Sequence, residues 1–310
     1  MFDLAGLHAA VAAHGRVARV VIACVAGSSP REVGASMLVW DGGQSGTVGG
    51  GALEFQAAAR ARNMLAAGGS SFDRVALGPG LGQCCGGAVG LLSEVFSAAD
   101  LATLQGPVIA RAVAGGEMPL AVSRVLAAAR AQGVMPAPGL VQGFMLEPVL
   151  VPQRHLWIWG AGHVGRALVV VLAPLPGIAL TWIDVAAERF PAESPAGLRI
   201  LPVPDPGNAV SLAPKNAEHL ILTFSHALDF ELCHRLLTHG FENLGLIGSA
   251  TKWARFRSRL AALGHGPENL ARMNCPIGEP ALGKHPQAIA IGVAAALLRP
   301  AAQARRTENL

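Results

Sequence analysis

Apolar positions in the first half of this chain fall into short runs interrupted by clusters of glycine. The opening residues have the spacing of an amphipathic helix. Residues 19–25 and 35–40 are apolar runs rich in β-branched side chains, which predicts two strands. A second helix is predicted from about Ala52, directly after glycines 49–51. The glycine-rich segment 77–92 is predicted to be a loop between strands, because so many glycines disfavour a helix.

Residues 107–150 are predicted to form further strands separated by glycine and proline turns. Pro148 and Pro152 mark the predicted end of this region. We therefore expect an N-terminal mixed α/β domain over residues 1–151.

The second half has a different pattern, in which apolar strands alternate with helices. Strands are predicted at 155–159, 178–184, 198–203, 219–225 and 243–247, and helices at 164–172 and 230–239. Such an alternation implies right-handed crossovers and a parallel sheet covered on both faces. The fold class is therefore predicted to be α/β, with a C-terminal Rossmann-type domain over 152–300 and a frayed tail at 301–310.

Composition adds little to this picture but limits where the protein acts. The chain has 310 residues, 52% of them hydrophobic, which is enough for two cores. Its longest apolar stretches, 167–183 and 288–298, are broken by prolines or too short to span a bilayer. Asp3 stands where a signal peptide would be basic, and the five cysteines form no spaced disulfide framework. We expect a cytoplasmic protein without membrane contact.

The formal net charge of +4 is too small to require a nucleic acid partner. Lys252, Arg255 and Arg259 are spaced to share one face of a helix. This face is either solvated or a contact for a phosphate or an acidic partner, and the spacing alone leaves both interpretations open.

A dinucleotide-binding pattern, G-x-G-x-x-G, lies between the first strand and the first helix of the second domain. Its first glycine permits a tight turn, its second lets a phosphate approach the backbone, and its third lets helix and strand pack closely. Asp184 ends the next strand, where a ribose-binding carboxylate is expected. The cofactor-binding residues predicted here are Gly160, Gly162, His163, Gly165 and Asp184.

The pattern does not specify the reaction, and the usual parts of a dehydrogenase are hard to find. The chain has no tyrosine, so a Tyr-Lys proton-transfer pair is impossible. His226 follows the fourth strand, at the edge where ligands lie in open α/β sheets. His226 and Asp229 either orient a ligand or metal, or only cap and start the helix predicted at Phe230.

Cys84 and Cys85 are adjacent thiols inside a loop of small residues. Their spacing does not suit a structural zinc site. A soft thiolate here would bind molybdenum or carry sulfur, and the alternative is simple packing. In the same domain, glycines 49–51 with Glu54 form either an anion site at a helix start or tight turns.

Seven segments, taken in order, closely resemble the XdhC/CoxI family of xanthine dehydrogenase accessory proteins. They are GSSPREVGASMLV, GTVGGGALE, LGQCCGG, WGAGHVG, TFSHALDFE, GLIGSATKWARF and CPIG with LGKHPQAIAI. The resemblance covers both domains except the termini and about residues 101–139. The CPIG segment departs from it, since serine precedes the proline in many relatives, so no role is assigned to Cys275.

The resemblance implies an accessory chaperone rather than an enzyme. Such proteins bind a molybdopterin-type molybdenum cofactor as cargo, support its sulfuration, and insert it into a xanthine dehydrogenase-type apoenzyme. The family's cysteine loop corresponds to Gln83, Cys84 and Cys85, which makes Cys85 or Cys84 the expected contact to molybdenum. A cysteine desulfurase partner and a homodimer are also implied. Whether the cargo is molybdopterin or its cytosine dinucleotide stays open.

Two other functions compete with this prediction. An NAD(P)-dependent oxidoreductase is favoured by the glycine pattern and Asp184, and is opposed by the absence of tyrosine and of an acid-base set in the first domain. A scaffold with an empty Rossmann unit is the second alternative, and it requires no bound pterin.

Overall fold

The computed structural model describes residues 1–78, 86–195 and 197–299. It divides into two compact units, Met1–Leu150 and Val151–Leu310, and each is described by itself. The predicted cofactor contacts Gln83, Cys84 and Cys85, and the tail 301–310, lie outside the described residues.

Unit 1 contains two antiparallel sheets and their covering helices. Its elements are α1 (Leu4–His14), β1 (Val17–Ala26), β2 (Ser36–Trp40), β3 (Gly43–Gly46), α2 (Gly51–Ala67), β4 (Ser70–Ala76), β5 (Ala88–Phe96), α3 (Ala98–Leu101), β6 (Val108–Ala112), α4 (Leu120–Gln132), β7 (Gly139–Val141) and β8 (Phe144–Pro148). The larger sheet has the order β3-β2-β1-β5-β4, and the smaller has β6-β8-β7. The apolar residues of α2 pack on one face of β1, and Met145 of the smaller sheet packs on the other, so β1 is buried on both faces.

The helix α4 corrects the prediction that residues 107–150 contain only strands and turns. Its sequence, LAVSRVLAAARAQ, is rich in alanine, leucine and arginine, which have the highest intrinsic helix propensity. Gly133 ends the helix in a left-handed conformation with φ of 68°. Val122 and Ala129 are buried against the smaller sheet, so packing of one helix face adds to the helix propensity in stabilising α4.

Three ion pairs are buried in unit 1, and two of them join its two sheets. Arg19 of β1 donates to both carboxylate oxygens of Glu147 of β8, at 2.9 and 2.8 Å. Arg111 of β6 donates to Glu147 at 2.6 Å and to Glu94 of β5 at 2.7 Å. The Phe2 ring lies 4.4 Å from the Arg19 guanidinium carbon and 4.7 Å from that of Arg111. Removing one partner of such a buried set is strongly destabilising, because a buried charge is left uncompensated.

Unit 2 is a parallel α/β domain. Its elements are β9 (Arg154–Trp159), α5 (His163–Leu172), β10 (Ile178–Asp184), β11 (Arg199–Pro202), β12 (Glu218–Ile221), α6 (His226–His239), β13 (Asn243–Leu246), α7 (Ala250–Ala262), α8 (Pro267–Ala271), β14 (Met273–Asn274) and α9 (Pro286–Leu298), with 3-10 turns between some of them. The sheet order β11-β10-β9-β12-β13-β14 is that of a doubly wound Rossmann sheet, so the predicted fold class is confirmed.

The strand order reverses between β9 and β12, which is the topological switch point where ligands bind in such sheets. Helices α5 and α9 pack on one face of the sheet, and α6 and α7 on the other. Three details differ from the predictions: β12 ends at Ile221 rather than Ser225, α6 begins at His226 rather than Phe230, and β14 adds a sixth strand. The short β14 has only two residues, too few for a recognisable apolar run.

Candidate functional site

The glycine turn after β9 lies at the switch point of the unit 2 sheet. Gly160 has a φ of 121°, and a side chain there would meet the Leu222 carbonyl oxygen at 2.4 Å. At Gly165 an added Cβ would lie 2.0 Å from the Gly160 carbonyl oxygen, so only glycine lets α5 pack this close to β9. The pattern's first and third glycines therefore have the structural roles that the sequence predicts.

Gly162 is the N-cap of α5 and faces open space, because an added Cβ would meet no atom within 4 Å. Among the described residues, no side chain caps the first turn of this helix. Its N–H groups and its positive dipole end are therefore available to an anion. His163 is the first residue of α5 and is exposed at the same place.

The Asp184 carboxylate is buried and holds the glycine turn. Its Oδ2 accepts a hydrogen bond from the Ala161 N–H at 2.5 Å, and its Oδ1 accepts one from the Val185 N–H at 2.7 Å. Arg189 Nε lies 3.4 Å from Oδ1. Both carboxylate oxygens therefore accept a backbone N–H of this chain, and the predicted contact to a ribose stays a prediction.

The structure gives His226 and Asp229 separate environments. His226 is exposed at the start of α6, where the Ser225 side chain provides the cap. Asp229 is fully buried, with 0% of its surface exposed. Its Oδ1 accepts hydrogen bonds from the N–H and hydroxyl of Thr223, at 3.0 and 2.7 Å.

Lys252 completes the environment of Asp229. Its ammonium donates to Asp229 Oδ2 at 2.5 Å and to the Ile247 carbonyl at 2.9 Å. A lysine in the first turn of a helix opposes the helix dipole, which is the one sequence signal that Lys252 has a specific partner. Sequence reasoning placed Lys252 on a surface face and missed this pair, which links the starts of α6 and α7.

A basic cavity of about 720 Å³ runs along α7 and reaches the first residue of α6. His226, Lys252, Arg255 and Arg259 line it. The cavity therefore brings the exposed histidine together with the basic face that the sequence marks as a possible phosphate contact. Another cavity, of about 860 Å³, lies at the amino edge of the sheet and contains none of the predicted site residues.

In unit 1, the ends of the cysteine loop are fixed beside the segment that follows β1. The Leu77 N–H donates to the Gly87 carbonyl at 2.7 Å, and Gly86 pairs with Ser28. A side chain on Gly87 would lie 2.1 Å from the Ser28 carbonyl oxygen. Gly86 and Gly87 thus meet the turn that carries Ser28, and Leu77 on the other side of the loop is joined to Gly87.

The first-domain anion site suggested by glycines 49–51 holds a carboxylate of the chain itself. Glu54 Oε2 accepts hydrogen bonds from the Val48 and Gly50 N–H groups, at 3.1 and 3.2 Å, and from the Thr47 hydroxyl. The turn therefore has anion-binding geometry, and Glu54 occupies it.

Other titratable groups are placed for packing. Burial, with a smaller contribution from the His239 imidazole, lowers the pKa of His219 to about 3, and the His219 Nδ1 accepts from Trp159 Nε1 at 3.1 Å. Burial raises the pKa of the Cys233 and Cys275 thiols. Among the described residues, no three histidine, cysteine or acidic side chains cluster as a metal site would require. None of the helices in that part of the chain is long and apolar enough to cross a bilayer.

Comparisons with known proteins match both units. The model of the XdhC and CoxI family matches residues 10–76, and that of the XdhC Rossmann domain matches residues 156–297, together about two thirds of the chain. The uncharacterized protein YqeB of Escherichia coli (strain K12) is 30% identical over 146 residues, 47% of this chain. The matched segment is 27% of YqeB, so this chain spans about a quarter of that relative's length.

A solved structure is similar over nearly the whole chain. It is described as a xanthine dehydrogenase from Bacillus halodurans, with a TM-score of 0.67 over 96% of this chain and 95% of that chain. Its sequence is 20% identical to this one, so the likeness is one of fold.

Proposed function

We propose that this chain, which belongs to the XdhC and CoxI family, is an accessory protein in the maturation of a xanthine dehydrogenase-type enzyme. It binds molybdopterin-type molybdenum cofactor as cargo, supports addition of the terminal sulfur, and passes the cofactor to the apoenzyme. The observation that carries the proposal is the uncapped glycine turn at the switch point of a Rossmann unit of this family.

The chemistry of the cargo suits the groups at this edge of unit 2. A cofactor phosphate requires backbone N–H donors or cations, and the turn at Gly162 and the basic cavity beside His226 offer both. The carboxylates near this edge are engaged within the chain, which supports a binding role over proton transfer. Asp229 and Lys252 neutralise each other, and Asp184 is engaged by the turn, so neither carboxylate is a free base.

Cys84 and Cys85 are proposed to face the molybdenum of the cargo. A thiolate is a soft ligand and suits a metal that already carries sulfur ligands. The described ends of their loop lie beside Ser28, which gives the loop a fixed base.

The decisive experiment loads the full chain with molybdenum cofactor under anaerobic conditions. Gel filtration follows, and protein-bound molybdenum and oxidised pterin are assayed for the wild type, Cys84→Ala and Cys85→Ala. Cys275→Ala is the matched control, since this half-buried thiol lies in unit 2. We expect stoichiometric cargo on the wild type and the control, and less on at least one loop variant.

A wild type that elutes without pterin contradicts the proposal. Titration with NAD and NADP then tests the oxidoreductase alternative, and a protein that binds neither class supports the scaffold. The partners are checked separately, by measuring whether the loaded protein restores activity to a dehydrogenase apoenzyme and whether a cysteine desulfurase co-elutes with it. Light scattering tests the proposed homodimer.

A further inference from the structure

An exposed aromatic ring stands at the ligand edge of unit 2. Phe224 lies between the end of β12 and the start of α6, and 65% of its surface is exposed. The backbone just before it passes close to the glycine turn, since a Cβ on Gly160 would lie 2.4 Å from the Leu222 carbonyl oxygen and 3.1 Å from Thr223 Cα. Phe224 is therefore beside the switch point, where a ligand of a doubly wound sheet lies.

A guanidinium group stands against this ring. The Arg189 guanidinium carbon is 5.1 Å from the centroid of Phe224, and 39% of the Arg189 side chain is exposed. Its Nε is directed to the buried Asp184 carboxylate without forming a hydrogen bond to it. Asp184 thereby orients the arginine while leaving its outer N–H groups on the open side.

The ring, the guanidinium and the glycine turn form one connected surface. Asp184 accepts from the Ala161 N–H. Arg166 donates through Nη2 to the Arg189 carbonyl at 2.8 Å and through Nε to the Ala161 carbonyl at 3.1 Å. Each part is therefore held at a fixed place relative to the uncapped start of α5.

Single exposed aromatic residues are common and require no explanation by themselves. Phe224 differs because it lies beside Arg189 and the Gly160 turn, which can bind other parts of the same ligand. An aromatic face stacks on a planar heterocycle, and a guanidinium donates in its plane and attracts π systems. The turn next to them binds an anion. A flat heterocycle carrying a phosphate requires these three groups together.

We propose that Phe224 and Arg189 form a stacking platform for the planar heterocycle of a phosphate-bearing ligand, whose phosphate lies at the Gly160–Gly162 turn. Identification of that ligand with the molybdenum cofactor rests on the proposed function. The platform itself requires only that a nucleoside diphosphate or a pterin phosphate binds in a way that depends on Phe224.

Calorimetric titration of the full chain tests the platform. The probes are cytidine and guanosine 5′-diphosphates, a 6-substituted pterin phosphate, and inorganic pyrophosphate, which has no ring. The variants are Phe224→Ala, Phe224→Tyr, which keeps the aromatic face, and Arg189→Met. Phe55→Ala is the matched control, because Phe55 is also a highly exposed phenylalanine, at 76%, and lies in unit 1.

We expect Phe224→Ala to weaken binding of the ring-bearing probes about 5- to 150-fold. Phe224→Tyr and Phe55→Ala should bind as the wild type does, and pyrophosphate should bind all three phenylalanine variants equally. Arg189→Met should weaken the ring-bearing probes by about 2- to 30-fold, as loss of a cation–π contact predicts.

Nucleotide binding that depends on Phe224 assigns the platform to a nucleobase, and pterin binding that depends on it assigns the platform to the pterin. Equal dissociation constants for wild type and Phe224→Ala, or no binding of any ring-bearing probe, overturn the proposal. Either result leaves the assay of retained molybdenum and pterin unaffected. Loss of cofactor retention with intact platform binding instead contradicts the proposed function alone.

Discussion

Two glycine-rich turns in this protein lead into a helix, and they differ in what they bind. The turn before α2 donates the Val48 and Gly50 N–H groups to the carboxylate of Glu54. In the turn before α5 the Asp184 carboxylate accepts from the Ala161 N–H, but among the described residues no side chain caps the start of the helix itself. Glu54 and Arg166 are each the fourth residue of their helix. We therefore expect the charge of the fourth helical residue to decide whether the turn binds a carboxylate of its own chain or stays open to a ligand.

We expect the largest effect from the Asp229–Lys252 ion pair, which lies at the same sheet edge as the turn before α5, called here the open turn. Lys252→Met leaves the buried Asp229 carboxylate without its cation, so we expect unit 2 to lose about 3–5 kcal/mol of unfolding free energy. Urea unfolding followed by tryptophan fluorescence measures the loss. The double variant Lys252→Met with Asp229→Leu should recover much of it, and full stability of the single variant would show that the pair is unimportant.

Gly165→Ala tests the packing that the open turn requires. Because the new Cβ would lie 2.0 Å from the Gly160 carbonyl, α5 must move, and we expect a loss of about 3 kcal/mol. Gly50→Ala is the counterpart in the filled turn: its φ is 73° but the space around it is empty, so we expect about 1 kcal/mol of backbone strain. Thermal unfolding compares the two variants, and equal losses would refute the distinction.

Glu54→Gln tests whether the turn before α2 can bind an external anion once its own carboxylate is removed. Loss of the charge-assisted bonds to Val48 and Gly50 should cost about 1–2 kcal/mol of unfolding free energy, in the range for lost helix caps. The variant should gain a second, weak site for pyrophosphate, which calorimetry detects as a change in stoichiometry. Glu117→Gln, on an exposed side chain, is the control and should change neither quantity.

Arg166→Glu tests the converse and should have the smallest effect on the fold. Arg166 is exposed but donates to the Ala161 and Arg189 carbonyls, so we expect the loss of these hydrogen bonds to cost about 1 kcal/mol of unfolding free energy. An acid at this position should compete for the turn and weaken pyrophosphate binding about tenfold. Arg257→Glu, on the exposed part of α7, is the matched control. Unchanged pyrophosphate binding in Arg166→Glu would show that the fourth residue does not decide what the turn accepts.

The sequence predicts unit 2 more completely than unit 1 for a physical reason. The buried parts of β9 and β10 are mostly apolar runs, and a glycine pattern at a fixed spacing identifies the turn after β9. In unit 1, α4 lies in a segment predicted as strands, because its many alanines give only a weak apolar stripe despite their high helix propensity. The apolar pattern of residues 120–132 is therefore too weak to identify the helix, which is stabilised by packing on the smaller sheet.

The missed parts of the site are pairings between distant residues. Asp229 and Lys252 stand 23 positions apart and meet only because β12 and β13 are neighbours in the sheet. The occupation of the first turn by Glu54 likewise depends on geometry that glycine spacing leaves open. The predicted roles of Cys84 and Cys85 come from the family resemblance, and they stay predictions.

The ion pairs buried in unit 1 have a consequence for the order of events during synthesis. Arg19 is translated 128 residues before its partner Glu147, which lies near the end of the unit. Phe2 also pairs with Val149, so the two ends of the unit close on each other. A nascent chain that lacks β8 would have to bury Arg19 without a counterion. We therefore expect unit 1 to remain open until almost all of it has been translated, and to close in one late step.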